Sequence, residues 1–104
     1  MNVVVMTGRL TGEPARRETT KGVVTTFRIG SDEPPRVWVA VECWGHLAGV
    51  CAAHLARRRH VAVGGALSHA EWTDGTGERR ERWFIRASKV TFLDGPDAGR
   101  EIEE

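Results

Sequence analysis

Tyrosine is absent from this 104-residue chain, and cysteine occurs only twice. Cys43 and Cys51 have neither C-x-x-C spacing nor a cluster of partners, which excludes a disulfide scaffold and a cysteine-built zinc site. Two reduced thiols remain. Long apolar runs are missing as well, Val3–Met6 being typical of the longest. That excludes a transmembrane helix, leaves nothing resembling a secretory signal and points to a cytoplasmic protein with no membrane partner. Enzyme templates fail in turn: there is no H-E-x-x-H, no G-x-x-x-x-G-K-[ST] and no G-x-G-x-x-G opening a helix. His46, His54, His60 and His69 are scattered and read as surface or core side chains rather than ligands. Cys43 falls on an aliphatic strand face with no group to activate it, as a small buried hydrophobe does. No catalysis, cofactor or metal is expected.

The residues that are present describe one globular domain. With 40% hydrophobic and 28% charged residues the chain is neither disordered nor fibrous. Its net charge is only +1, but Asp94, Asp97, Glu101, Glu103 and Glu104 face a single Arg100 at the C-terminal end. Residues 1–93 therefore carry 14 cations against 9 acids, a net +5. Thirteen of the 15 cations are arginine, which grips phosphate in a fork and stacks on bases, although a compositional bias of the source genome would give the same preference. Four tryptophans and three phenylalanines make up the aromatics.

Periodicity predicts three strands, one helix and two more strands. Asn2–Leu10 is β-branched at its start and bends at Gly8. Gly12-Glu13-Pro14 and Lys21-Gly22 are turns, with the polar Arg16–Thr19 between them an edge or loop. Val23–Ile29 alternates with Val23, Thr25, Phe27 and Ile29 on one parity, and Ser31–Pro35 stops it. Across Arg36–Trp44 the parity of Val37, Val39, Val41 and Cys43 belongs to the core, and that of Arg36, Trp38, Ala40, Glu42 and Trp44 faces elsewhere. Leu47, Val50, Cys51, His54 and Leu55 recur at helical spacing, and Arg57–Arg59 reads as the cationic end of that helix. His60–Trp72 and Arg79–Leu93 are the last strands, with a bend at Gly64-Gly65 and a hairpin loop over Thr73–Gly77. Residues 94–104 read as a short acidic extension outside the strand pattern. The layout over residues 1–93 is that of an all-β, five-stranded OB-fold barrel with one short α-helix between strands 3 and 4, a small sandwich being the alternative.

Trp38, Trp44 and Trp72 lie on the strand parity opposite the aliphatic residues, with Arg9, Arg28, Arg36, Arg80 and Arg82 nearby. Exposed indoles interleaved with cations suit a single-stranded nucleic acid: a base stacks on an indole for about 1–3 kcal/mol while arginine neutralises phosphate. Indoles filling barrel ends or a subunit interface would leave the same pattern. For Trp83, whose neighbours Phe84 and Ile85 obscure its parity, the core or interface reading leads. Arg57–Arg59 is either a solvated helix end or a phosphate track.

These residues give the chain a resemblance to the bacterial single-stranded DNA-binding protein family over roughly residues 1–93. Its marks are Gly8-Arg9-Leu10, then Glu13-Pro14 with Arg17, and Gly22 ahead of a strand containing Phe27. Trp38 follows with Trp44-Gly45-His46-Leu47-Ala48, then Val63-Gly64-Gly65-Ala66-Leu67 and Trp72-Thr73-Asp74-Gly75-Thr76-Gly77. The resemblance implies an OB domain, usually assembled as a homotetramer that wraps single-stranded DNA during replication, recombination or repair, with a dimer possible. It implies stacking on Trp38, Trp44 and Trp72 and adds Arg17 to the nucleic-acid-binding set. The chain departs from the family in the short Ser31–Pro35 loop, in Ala40 and Glu42 where a basic residue is often found, and in Arg58 at a helix-ending glycine position, which calls for a left-handed non-glycine residue. A long tail with an acidic tip is also missing, so tail-mediated partners are not expected. A dimeric primosome-type OB protein and an OB-type protein-assembly module are the other readings.

Overall fold

In the structure, a computed structural model describing residues 1–104, β1 (Val4–Leu10) runs antiparallel between two neighbours, β5 (His60–Thr73) and β3 (Gly22–Ser31). It pairs with β5 from Val4↔Gly65 to Arg9↔His60, and its last residues turn onto β3 at Gly8↔Ser31 and Leu10↔Ile29. β3 continues to β4 (Trp38–Trp44), β4 lies parallel to β6 (Arg79–Phe92), and β6 returns antiparallel along β5. The ring β1-β5-β6-β4-β3 is thus a closed five-stranded barrel, with α1 (Gly45–His54) between its third and fourth strands. This is the expected OB barrel. Two short strands lie outside the ring: β2 (Ala15–Thr19) on the edge of β3, and β7 (Glu101–Glu103) on β6. No helix is long and apolar enough to cross a membrane.

The inward parity supplies the core. Phe27 and Ile29, Val41 and Cys43, Val61 and Val63, and Ile85 and Ala87 meet Leu10 inside the ring. On β6 the parity then slips, because Gly65 opposes Ala87 while Gly64 opposes Lys89, which leaves Ser88 as the extra residue of a bulge. Val90 and Phe92 are turned inward by that slip. A Cβ on Gly65 would run into the Arg86 carbonyl, so glycine is required there. From α1, Leu47, Ala48 and Cys51 pack inward together with Leu55. The buried Thr25 hydroxyl donates to the Ala48 carbonyl at 2.7 Å and ties the helix to β3.

Arg16–Thr19 is the edge rather than a loop, a strand in register with β3 from Ala15↔Thr26 to Thr19↔Gly22. Three expectations change. Val37 is 40% exposed and precedes β4, its N–H donating to the Ser31 hydroxyl at 2.9 Å instead of to a ladder carbonyl. The helix stops at His54, so Arg57–Arg59 lie beyond it, and only Arg59 reaches back, donating to the His54 carbonyl at 3.2 Å. Arg58 has φ 73°, the left-handed conformation its position calls for, and is held by its N–H donating to the Leu10 carbonyl at 2.9 Å.

The third change concerns residues 94–104. Rather than standing outside the strand pattern, this segment returns to the barrel, where Ile102 pairs with Val90 and is buried in the core. Arg59 Nε donates to Asp94 at 3.0 Å, and His54 Nδ1 lies 3.1 Å from Asp97. Asp94 and Asp97 therefore have partners on the body of the domain, and Ile102 supplies the apolar anchor. Ile102→Ala is expected to cost about 2 kcal/mol or more and to lower the melting midpoint by several degrees, read by circular dichroism. An unchanged midpoint would mean that β7 contributes nothing to the barrel.

Candidate nucleic-acid interface

Strand register sets one outward face of the barrel. Because cross-strand partners share a face, Gly30 lies beside Trp38, Arg28 beside Ala40 and Phe84, Thr26 beside Glu42 and Arg86, and Val24 beside Trp44. Beyond the ring β5 and β6 continue as a two-stranded arm whose same face carries Ala70↔Arg82 and Trp72↔Arg80. An open groove of ≈ 760 Å³ runs across it. Thr26, Arg28 and Ala40 form its floor, Glu13 and Arg17 one side, and Trp72 and Arg82 the other.

The tryptophans differ in setting. Trp38 is 59% exposed and lies over Gly30, where a Cβ would come within 3.1 Å of the indole nitrogen. Trp72 is 45% exposed on the arm. Trp44 is half-buried; its Nε1–H donates to Glu42 at 2.6 Å, and the Arg86 guanidinium lies 5.8 Å from its ring centre. Trp44 lines a separate recess with Lys21, Arg86 and Glu104 rather than the main groove. Trp83 is not a core residue: at 57% exposure it stands on the reverse face of the arm, its ring 4.3 Å from that of His69. Phe84 takes the groove face instead and is buried beneath the Arg82 guanidinium, 4.3 Å above its ring. Sequence reading passed over Phe84 because Trp83, Phe84 and Ile85 are three consecutive apolar side chains, and the Ser88 bulge breaks the parity that would have tied them to Val90 and Phe92.

The arginines fall into two groups. Arg17, Arg28 and Arg36 are exposed and have no carboxylate within ion-pairing distance, and Arg17 and Arg28 line the groove. Arg9, Arg80 and Arg82 are already engaged. Arg9 donates to the Arg58 carbonyl at 3.0 Å and lies 3.5 Å from Asp94, which holds it at the β1–β5 side. Arg80 pairs with Asp74 at 2.8 Å, and Arg82 with Glu42 at 2.9 Å.

Asp74 organises the loop that closes the arm. It accepts hydrogen bonds from the Thr76 hydroxyl at 2.6 Å, the Thr76 N–H at 2.9 Å, the Glu78 N–H at 3.2 Å and Arg80 at 2.8 Å. These donors, the Thr76 hydroxyl foremost, lower its pKa to about 2. The Asp94 carboxyl is also held below its ordinary range: burial pushes it up, but donation from Arg59 and from the His60 N–H outweighs that. His69, Glu71 and Glu81 bring ligand atoms within 4.8 Å of one another on the exposed arm, where His69 already engages Glu81 and Arg79 engages Glu71.

A closed OB barrel with indoles and arginines on one outward face is the architecture of an oligonucleotide-binding domain. Residues 1–93 match the Single-strand binding protein family, and the chain belongs to it. Among its relatives is a single-stranded DNA-binding protein of Caldanaerobacter subterraneus subsp. tengcongensis, 32% identical over 122 residues that take in 100% of this chain and 81% of the relative. Another, from Thermotoga maritima, is 32% identical over 104 residues, 89% of this chain and 74% of the relative. The structure of the second single-stranded DNA-binding protein from Mycobacterium smegmatis superposes with a TM-score of 0.70 at 25% identity, over 88% of this chain and 87% of that one.

The Asp74 geometry makes a pH prediction. A carboxyl with a depressed folded pKa contributes stability that is present above its unfolded value and lost as pH falls through the folded one. The arm loop should therefore stay ordered down through the ordinary carboxylate range and loosen only near pH 2. In an NMR titration the Thr76 and Glu78 amide shifts should move with a midpoint of about 2. A midpoint near 3.8, the ordinary value, would mean that the four hydrogen bonds do not hold the carboxylate.

Proposed function

We propose that this chain binds and protects single-stranded DNA with little sequence preference, stacking bases on Trp38, Trp44 and Trp72 while arginines neutralise phosphate. The observation that carries this reading is the placement of these indoles on one outward face with Arg17 and Arg28, cations that no carboxylate engages. Every base has a π-face, so stacking tolerates any sequence. Duplex bases are already stacked on one another and cannot reach the indoles. Arg17, Arg28 and Arg36 are the phosphate contacts of this proposal, and Arg9, Arg80 and Arg82 act mainly by holding the fold. Family membership supports the same reading, with a role in replication, recombination or repair. A homo-oligomer, tetramer before dimer, belongs to the proposal too; the exposed Val3, Val5 and Leu67 support it, and native mass measures it.

The test is a tryptophan-fluorescence titration with oligo-dT and with duplex DNA. Oligo-dT should quench the emission and bind far more tightly, with affinity falling by orders of magnitude from low to moderate salt as counterions are released. Trp38→Ala, Trp44→Ala and Trp72→Ala should each weaken binding about ten- to a hundredfold, the equivalent of about 1–3 kcal/mol per stacked base. The largely exposed Trp38 and Trp72 should melt as the wild type does, and Trp83→Ala on the reverse face should bind normally. Equal affinity for duplex, or normal binding by all three groove-face variants, would overturn the proposal.

Gly30→Ala offers a subtler probe. The added methyl meets the Trp38 ring at 3.1–3.3 Å, so the indole must shift. Weaker binding with an unchanged melting midpoint is expected from the same titration. Normal binding would show that the seat of the ring is not critical.

A further inference from the structure

At the centre of the groove face stands a carboxylate where a phosphate-binding surface would favour a cation. Glu42 lies on β4 between Trp38 and Trp44, and its side chain is only 12% exposed. Both of its oxygens are used. Oε1 accepts from Trp44 Nε1–H at 2.6 Å, and Oε2 accepts from Arg82 at 2.9 Å. Arg82 is held a second time by the Phe84 ring beneath it. Glu42 thus joins the main groove, which Arg82 lines, to the recess that Trp44 lines.

We propose that Glu42 is an internal counter-ion that withholds Arg82 from phosphate while fixing the edge of the Trp44 indole, and so caps the affinity of this face for single strands. The inference rests on the nucleic-acid reading above. Its physical basis is the cost of separation: a phosphodiester that drew Arg82 away would leave Glu42 charged and unpaired in a nearly closed site. A phosphate contact in high dielectric does not repay that. The pair therefore stays shut when DNA binds, and Arg82 releases no counterion. Arg17 and Arg28, with no carboxylate to leave, remain the cations that phosphate meets in the groove.

Salt dependence separates this arrangement from its opposite. For single strands the slope of log affinity against log salt grows by about 0.7 for each cation that reaches a phosphate. Glu42→Gln keeps an acceptor for the Trp44 indole but removes the charge, so the freed Arg82 should steepen the slope by about 0.7 and tighten oligo-dT binding several-fold. Arg82→Gln, at a site 39% exposed where the amide keeps a donor for Glu42, serves if the first variant folds poorly. It should weaken binding through the bare carboxylate without flattening the slope. The reverse pattern, Glu42→Gln with an unchanged slope and Arg82→Gln with one flatter by about 0.7, would show that Arg82 already touches phosphate and would overturn the proposal. Failure of the wild type to bind oligo-dT would be seen first, and would remove the binding reading and the counter-ion role together.

Discussion

The closure of the barrel depends on a single close approach between β1 and β3. β1 must leave β5 and join β3 within a few residues, and at the crossing the Gly8 backbone lies so near the Gly30 carbonyl that no Cβ fits between them. With a side chain at Gly8 the two strands would separate and the ring would open. The same approach sets the outward row beside it, in which Arg9, Gly30 and Trp38 are successive cross-strand partners. Gly30 is bare on that side too, and the Trp38 indole lies over it. One pair of glycines therefore closes the core on one side and seats an aromatic platform on the other.

Charge is arranged by a second rule. Most arginines have a carboxylate partner, and for four of them it comes from a distant part of the chain: Asp94 for Arg9 and Arg59, Glu42 for Arg82, Glu104 for Arg86 at 3.6 Å. At the surface such pairs add little stability. Their larger effect is to decide which cations are free. Arg17 and Arg28 have no carboxylate within ion-pairing distance and line the groove, so the positive potential there comes from a small subset of the arginines. The acidic C-terminal residues join this scheme, because Ile102 anchors β7 and carries Glu104 to Arg86 beside the Trp44 recess.

Much of this was legible in the sequence. Alternation along Val39–Trp44 separated the core parity from the indole parity, and turn residues at Gly12–Pro14, Lys21-Gly22 and Thr73–Gly77 bounded the strands. These features are local, since a strand's period and a turn's backbone needs are written within a few residues. Where the local signal was broken, the reading failed. Three consecutive apolar side chains, Trp83, Phe84 and Ile85, hid which of them turns away from the groove face, and the Ser88 bulge breaks the parity that would have tied them to Val90 and Phe92. The three residues of β7 offered too short a pattern to distinguish from an acidic tail.

What the sequence by itself determined is the run of strands, the position of the helix among them and the placement of Trp38, Trp44 and Trp72 on the parity opposite the core, because hydrophobic periodicity and glycine placement act over short spans. Only the tertiary structure decided which arginines are free. Counting cations treats them alike, yet Arg82 and Glu42 are 40 residues apart and meet at 2.9 Å only because β4 and β6 lie parallel in the ring. An ion pair depends on distance in space, and that distance exists only once the strands have closed.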